Sequence, residues 1–124
     1  MLERFAIALA ACAALSAQVP AVDPPGLAQI LKAGTWTVVE FGGPTCIPCK
    51  KMQPILADLQ KQLGTRAQVR NFYVTEFTKE ARAYKIMAMP TQVVFNPSGQ
   101  EVLRHVGFWE KPDFLAALAQ AGLK

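Results

Sequence analysis

The stretch "FGGPTCIPCKKMQP", Phe41 to Pro54, decides how the rest of the chain is read. It holds two of the three cysteines, Cys46 and Cys49, with Ile47 and Pro48 between them. A C-x-x-C pair fits half of a metal site, a structural staple or a reversible redox switch, and its flanks choose among them. Before it, "TWTVVEF" (Thr35–Phe41) is rich in β-branched and aromatic residues and nearly continuous in apolarity, as a buried central strand would be. After it, "CIPCKKMQPILADLQKQLG" reads as one long helix, with Met52, Ile55, Leu56, Leu59 and Leu63 on one face and Gly64 as its stop. Pro54 is expected to kink that helix, because it removes one hydrogen bond and crowds the preceding turn.

Working outward, "DPPGLAQILKAG" (Asp23–Gly34) has Leu27, Ile30 and Leu31 at helical spacing. "AQVRNFYVTEF" (Ala67–Phe77) is the next strand, and "TKEARAYK" (Thr78–Lys85) a short polar helix. From Thr91, "TQVVFNPSGQEVLRHVGF" reads as two strands joined by a turn at Asn96-Pro97-Ser98-Gly99, where Gly99 supplies a positive φ. "KPDFLAALAQAGL" closes the chain as an amphipathic helix starting near Pro112, with Phe114, Leu115 and Leu118 at helical spacing. Trp36, Phe41 and Phe95 are expected in the core. The order α-β-α-β-α-β-β-α predicts an α/β fold: a mixed sheet with helices on both faces and an antiparallel hairpin at one edge.

The two thiols fall where chemistry favours a redox pair. Cys46 sits at the N-terminal end of the long helix, where unpaired N–H groups and the helix dipole favour an anion. A thiolate there is stabilised, and the thiolate is the attacking species. Cys49 is one turn further along, close enough to close a disulfide and more shielded. A zinc site needs four ligands. With Cys12 set aside, His105 is the one remaining soft donor, so no metal is expected. A staple across two residues restrains little of the unfolded chain. His105 itself falls on an edge strand, which predicts a structural or surface role rather than a Cys-His hydrolase.

The beginning of the chain reads differently. "MLERFAIALAACAALSAQVPA" has Arg4 near its start, an almost unbroken apolar run from Phe5 to Leu15, then small residues and Pro20. That is the pattern of a secretory signal peptide over residues 1–20, with a cleavage site after Ala14-Leu15-Ser16. About eleven apolar residues are too few for a stable span, which takes ~20. "LAAC" at Leu9–Cys12 also resembles a lipoprotein box, in which Cys12 would carry the lipid. Both readings remove Cys12 from redox chemistry and place the remaining domain, residues 21–124, outside the cytoplasm. With 52% hydrophobic and 18% charged residues the chain is composed as a single globular domain, not a disordered tail. Its net charge of +4 is spread without a run of basic residues, which excludes nucleic acid as the expected partner.

From Asp23 to Lys124 the chain resembles the thioredoxin superfamily. The resemblance rests on "CIPC", on Pro54 at the family's helix proline, on "MPT" (Met89–Thr91) at its cis-proline loop, and on Gly107 in "HVGF". It implies a thioredoxin-like fold and a thiol-disulfide oxidoreductase. Cys46 would be the nucleophile and Cys49 the resolving thiol, with no cofactor beyond their own disulfide. Met89, Pro90, Thr91 and Gly107 would hold the substrate peptide. Glu40 stands six residues before Cys46, where the family usually carries a buried Asp, and burial would suit it to accept the Cys49 proton.

The chain departs from the family at Thr45, where a tryptophan is usual, at Ile47-Pro48, which replaces Gly-Pro, and at Thr75, which replaces an acid. With the export signal, these departures resemble the small periplasmic branch. The expectation is a monomeric, exported protein-disulfide reductase charged by a membrane-borne electron donor. Ile47 and Pro48 tune the dithiol by offering no side-chain donor to the thiolate, which favours the disulfide and hence a reductant. A peroxidase or redox sensor, and a non-catalytic binding or assembly module, are the alternatives.

Overall fold

Trp36–Gly42 forms β1, and every residue after Trp36 is buried. A strand covered on both faces needs apolar side chains at consecutive positions, which Val38, Val39 and Phe41 supply. In the computed structural model, which describes residues 18–124, β1 is an interior strand of a four-stranded sheet ordered β2-β1-β3-β4. β2 (Ala67–Tyr73) is parallel to β1, whereas β3 (Thr91–Phe95) and β4 (Glu101–Val106) follow as antiparallel neighbours. Joining two parallel strands takes a crossover. α2 (Ile47–Leu63) provides it, followed by a 3-10 turn over Gly64–Arg66.

Alternation along the strands sends neighbouring side chains to opposite faces. Val38, Val69 and Val94 face α2 and α4 (Lys111–Ala121), where they meet Met52, Leu56, Leu59, Phe114 and Leu118. Val39, Phe41, Phe72, Val93 and Phe95 face the other way, onto Leu27 of α1 (Pro24–Leu31) and Ala81 of α3 (Thr78–Ala83). The β3–β4 turn closes with Gly99 at φ 77°, and its N–H donates to the Asn96 carbonyl at 2.8 Å. A side chain at Gly99 would also meet the Leu31 carbonyl oxygen at 2.8 Å, so nothing larger fits.

Several boundaries differ from the sequence reading. β2 stops at Tyr73 rather than Phe77, because the Tyr73 carbonyl accepts from both Glu76 and Phe77 and turns the chain. α3 ends at Ala83 rather than Lys85: Lys85 takes φ 59°, and the Ile86 N–H folds back to the Ala81 carbonyl. α2 spans Ile47–Leu63 with Pro54 inside it, and Ile55, read on the apolar face, is only half-buried. The packed domain also begins earlier than residue 21. Val19 is buried in the α2/α4 core, and Asn71 of β2 donates to the Pro20 carbonyl and accepts from Val22 N–H. The expected signal segment before residue 18, including Cys12, lies outside the described residues.

Candidate active site

The site is assembled where β1 gives way to α2. Cys46 is the N-cap of α2, in extended backbone, and Cys49 lies inside the first turn. The two form a disulfide with their Cα atoms 5.2 Å apart. Their exposures differ. Cys46 is partly exposed, whereas Cys49 is 3% exposed. The Cys49 N–H points at Cys46 Sγ from 3.3 Å, the backbone donor expected at a helix start. Pro48 has no N–H to add. Ile47 is 67% exposed and forms part of the rim.

Two glycines make room behind the pair. A Cβ on Gly42 would sit 3.0 Å from Cys49 Sγ and 3.8 Å from Glu40 Cγ, so both side chains close around the space that Gly42 leaves empty. A Cβ on Gly43 would sit 3.3 Å from Met89 Sδ, which brings the Met89–Thr91 loop against the loop leading to Cys46. The Met89–Pro90 peptide is cis. The Pro90 carbonyl accepts from Gly107 N–H at 2.7 Å. Gly107 lies just past β4 at φ 95°, with nothing among the described residues within 4 Å of the position a Cβ would take; its conformation, not crowding, asks for glycine. Thr91 is buried and its hydroxyl donates to the Ala88 carbonyl at 2.8 Å, so its side chain braces the loop. Exposed apolar side chains include Ile47 between the cysteines, Met89 in this loop, and Val106 and Phe108 on either side of Gly107.

Glu40 lies beneath, 1% exposed. Burial pushes its pKa from 4.5 up to about 8, opposed by a hydrogen bond from Gln92. The Gln92 amide donates to Glu40 Oε1 at 2.8 Å, and among the described residues Oε2 has no hydrogen-bond partner. Glu40, Gly42, Cys49, Lys50 and Tyr73 line a cavity of about 650 Å³. An ordinary thiol titrates at ~8.5, so a carboxyl near 8 is matched to taking a proton from one. Among the described residues no group of three or more His, Cys, Asp or Glu side chains is arranged to hold a metal.

A family model described as Thioredoxin matches residues 27–120. The chain belongs to the thioredoxin family. It is 33% identical to the thioredoxin of Staphylococcus aureus over 81 residues, which covers 65% of this chain and 77% of that protein. Its fold is shared with a mutant thioredoxin from Halobacterium salinarum, at a TM-score of 0.75 and 25% identity, over 86% of this chain and 91% of that one. Chloroplastic thioredoxin z has the same fold, at a TM-score of 0.75 and 21% identity, over 84% of this chain and 94% of that one. With its cysteine pair, this thioredoxin-family protein is a thiol-disulfide oxidoreductase, and family membership implies protein disulfides as substrates.

Sequence reasoning did not single out Gly42, Gln92 or Asn71. Gln92 carried a signal: it is a lone amide inside the apolar run "TQVVF". Gly42 carried none, since the gap it leaves exists only once α2 folds back over β1.

Proposed function

We propose that the protein is an exported reductant of protein disulfides, with Cys46 as attacking sulfur, Cys49 as resolving thiol and Glu40 as proton acceptor. The observation that carries this reading is the asymmetry of the pair. One sulfur is partly exposed at a helix N-terminus, and the other is 3% exposed beside a buried acid. In the reduced protein, the Cys46 thiolate attacks a substrate disulfide, forming a mixed disulfide and releasing one substrate thiolate, which takes a proton from water. Cys49 then gives its proton to Oε2 of Glu40, and its thiolate attacks Cys46 Sγ. The Cys46–Cys49 bond forms as the second substrate thiolate leaves, so two electrons pass to the substrate. The Met89–Pro90 segment and Gly107 hold the substrate backbone during this exchange, and the apolar rim receives its side chains.

The direction of electron flow follows from the thiolate. The more a site stabilises its reduced thiolate, the stronger an oxidant its disulfide is. Ile47 and Pro48 present no side-chain donor, and Glu40 adds negative charge behind the pair when ionised. Both favour the disulfide and a reducing protein. Export is supported by Arg4 and the apolar run Phe5–Leu15; a monomer released by cleavage, or held by lipid on Cys12, would take electrons from a membrane-borne dithiol donor. Equilibration with glutathione tests the direction. A potential nearer ~−270 than ~−120 mV is expected, and one above about −180 mV overturns the reductant reading. Mass spectrometry of the exported form distinguishes a start near Ala17 from a lipidated Cys12.

A further inference from the structure

One side chain of each strand meets in a row across the whole sheet. The ladder pairs Asn71 of β2 with Glu40 of β1, Glu40 with Gln92 of β3, and Gln92 with His105 of β4. All four lie on the face covered by α2 and α4. Hydrogen bonds join three of them into a chain: Gln92 Nε2 donates to Glu40 Oε1 at 2.8 Å, and Gln92 Oε1 meets His105 Nδ1 at 2.9 Å. Gln92 is 0% exposed, whereas His105 is half-buried at the sheet edge. The imidazole is stacked on Trp109 at 4.1 Å, and Trp109 on Phe114 at 4.3 Å. On the far side, Asn71 is held by a reciprocal amide pair with Gln53 and by the Val19 carbonyl. The row is therefore anchored at both ends.

We infer that Gln92 and His105 are positioning residues of the dithiol reaction: His105 Nδ1 orients the Gln92 amide, which fixes Oε1 of Glu40 and leaves Oε2 for Cys49. This rests on the reading of Glu40 as the proton acceptor of Cys49. The physical reason lies in the amide, which has one donating and one accepting end. While its nitrogen donates to an ionised Glu40, its oxygen faces His105 and requires a proton on Nδ1. A proton arriving from Cys49 goes to Oε2, so Oε1 keeps accepting from the amide nitrogen and the amide need not turn. Nδ1–H of His105 thus holds the amide in the one orientation that serves Glu40; without it the amide oxygen can turn toward Oε1 and that support is lost.

Other charges near these groups are few. Cys49 and Lys50 of α2 and Tyr73 of β2 share the cavity with Glu40. On β4, the Arg104 guanidinium bonds Glu101 and the Tyr84 carbonyl. Of the charged residues at the start of α4, Glu110, Lys111 and Asp113, Lys111 pairs with Asp58 of α2 at 3.6 Å.

The test follows the Glu40 carboxyl carbon through pH by NMR in the oxidised full chain, in the unmodified protein and in two His105 variants. His105→Phe keeps the stack but has no Nδ1. It should raise the Glu40 midpoint by about half a pH unit, a roughly threefold gain in proton affinity, because the amide donor is no longer held on Oε1. His105→Asn, whose amide can still bond Gln92, should restore the midpoint. The acid-side limb of the insulin-reduction rate, where Glu40 takes up its proton, should shift with the midpoint. A His105→Phe titration superimposable on the unmodified one overturns the positioning role even if the protein reduces insulin normally. A protein that shows the shift but reduces no disulfide instead overturns the proposed function.

Discussion

The two faces of the sheet are made from alternate residues of the same strands and carry opposite chemistry. Phe41, Phe72 and Val93 point to α1 and α3; their chain neighbours Glu40, Asn71 and Gln92 point to α2 and α4. The first face is an aromatic cluster, with Phe41 and Phe72 rings 5.1 Å apart and Tyr84 5.4 Å from Phe41. The second has an apolar core toward Phe114 and Leu118, but next to the disulfide it gives way to the polar row. Even at the edge the split holds: Arg104 reaches the Tyr84 carbonyl while His105 reaches Gln92. The difference teaches that one face mainly holds the fold together and the other, at one end, holds a carboxyl in an environment it would not choose. Substitutions on the two faces should therefore fail in different assays.

The largest effect should come from the dithiol. Cys46→Ser is expected to lose all measurable disulfide exchange with little change in unfolding, whereas Cys49→Ser should accumulate mixed disulfides through Cys46. Non-reducing gels of exported proteins incubated with each variant report this, and trapping by Cys46→Ser alone would invert the roles. On the aromatic face, Phe72→Ala should cost about 3–5 kcal/mol in urea unfolding, while the folded fraction keeps its exchange rate. A large rate loss at unchanged stability would erase the distinction between the faces.

Glu40→Gln should combine a slower reaction with a more stable protein at alkaline pH. The resolving step is expected to fall about 10–100-fold near pH 8, measured by rapid-quench decay of a mixed disulfide. Stability moves the other way. The folded-state pKa is raised by burial from 4.5 to about 8, so the folded protein holds a proton that the unfolded chain releases. That contribution is fully present below the unfolded value and is lost as pH rises through about 8. The unmodified protein should therefore lose on the order of a few kcal/mol between those limits, and Glu40→Gln should not. Parallel stability profiles for the two proteins would remove the buried charge from the account.

Gly42→Ala is the subtlest case. Its methyl would sit 3.0 Å from Cys49 Sγ and 3.2 Å from Cys49 Cβ, so Cys49 must move. Overpacking of this kind costs about 1–3 kcal/mol. The rate of the resolving step should fall more than the rate of initial attack by Cys46. An equal fall in both would place the gap outside the reaction.

Much of this was legible along the chain because local physics wrote it there. The apolar run Thr35–Phe41, the helical spacing from Met52 to Leu63 and the turn at Asn96–Gly99 all became elements close to where they were read. Boundaries failed where a distant contact overrode propensity: Val19 was read with the leader, but it is buried in the α2/α4 core, 5% exposed. The Thr91 hydroxyl, which turns inward to the Ala88 carbonyl, has a partner that the motif alone does not name.

The sequence by itself determined the family, the pairing of Cys46 with Cys49 at a helix start, and the sheet with helices on both sides. These depend on spacing within one or two turns, or on periodicity within one strand. The row Asn71–Glu40–Gln92–His105 depends on neither. Its hydrogen-bonded members Glu40 and Gln92 lie 52 residues apart, and Gln92 and His105 a further 13. Only strand register brings them together, and register is settled by burial of whole faces; a slip of one residue would turn Glu40 onto the aromatic side. The reactive sulfurs are local chemistry, but the environment of the proton that serves them was decided by the tertiary fold.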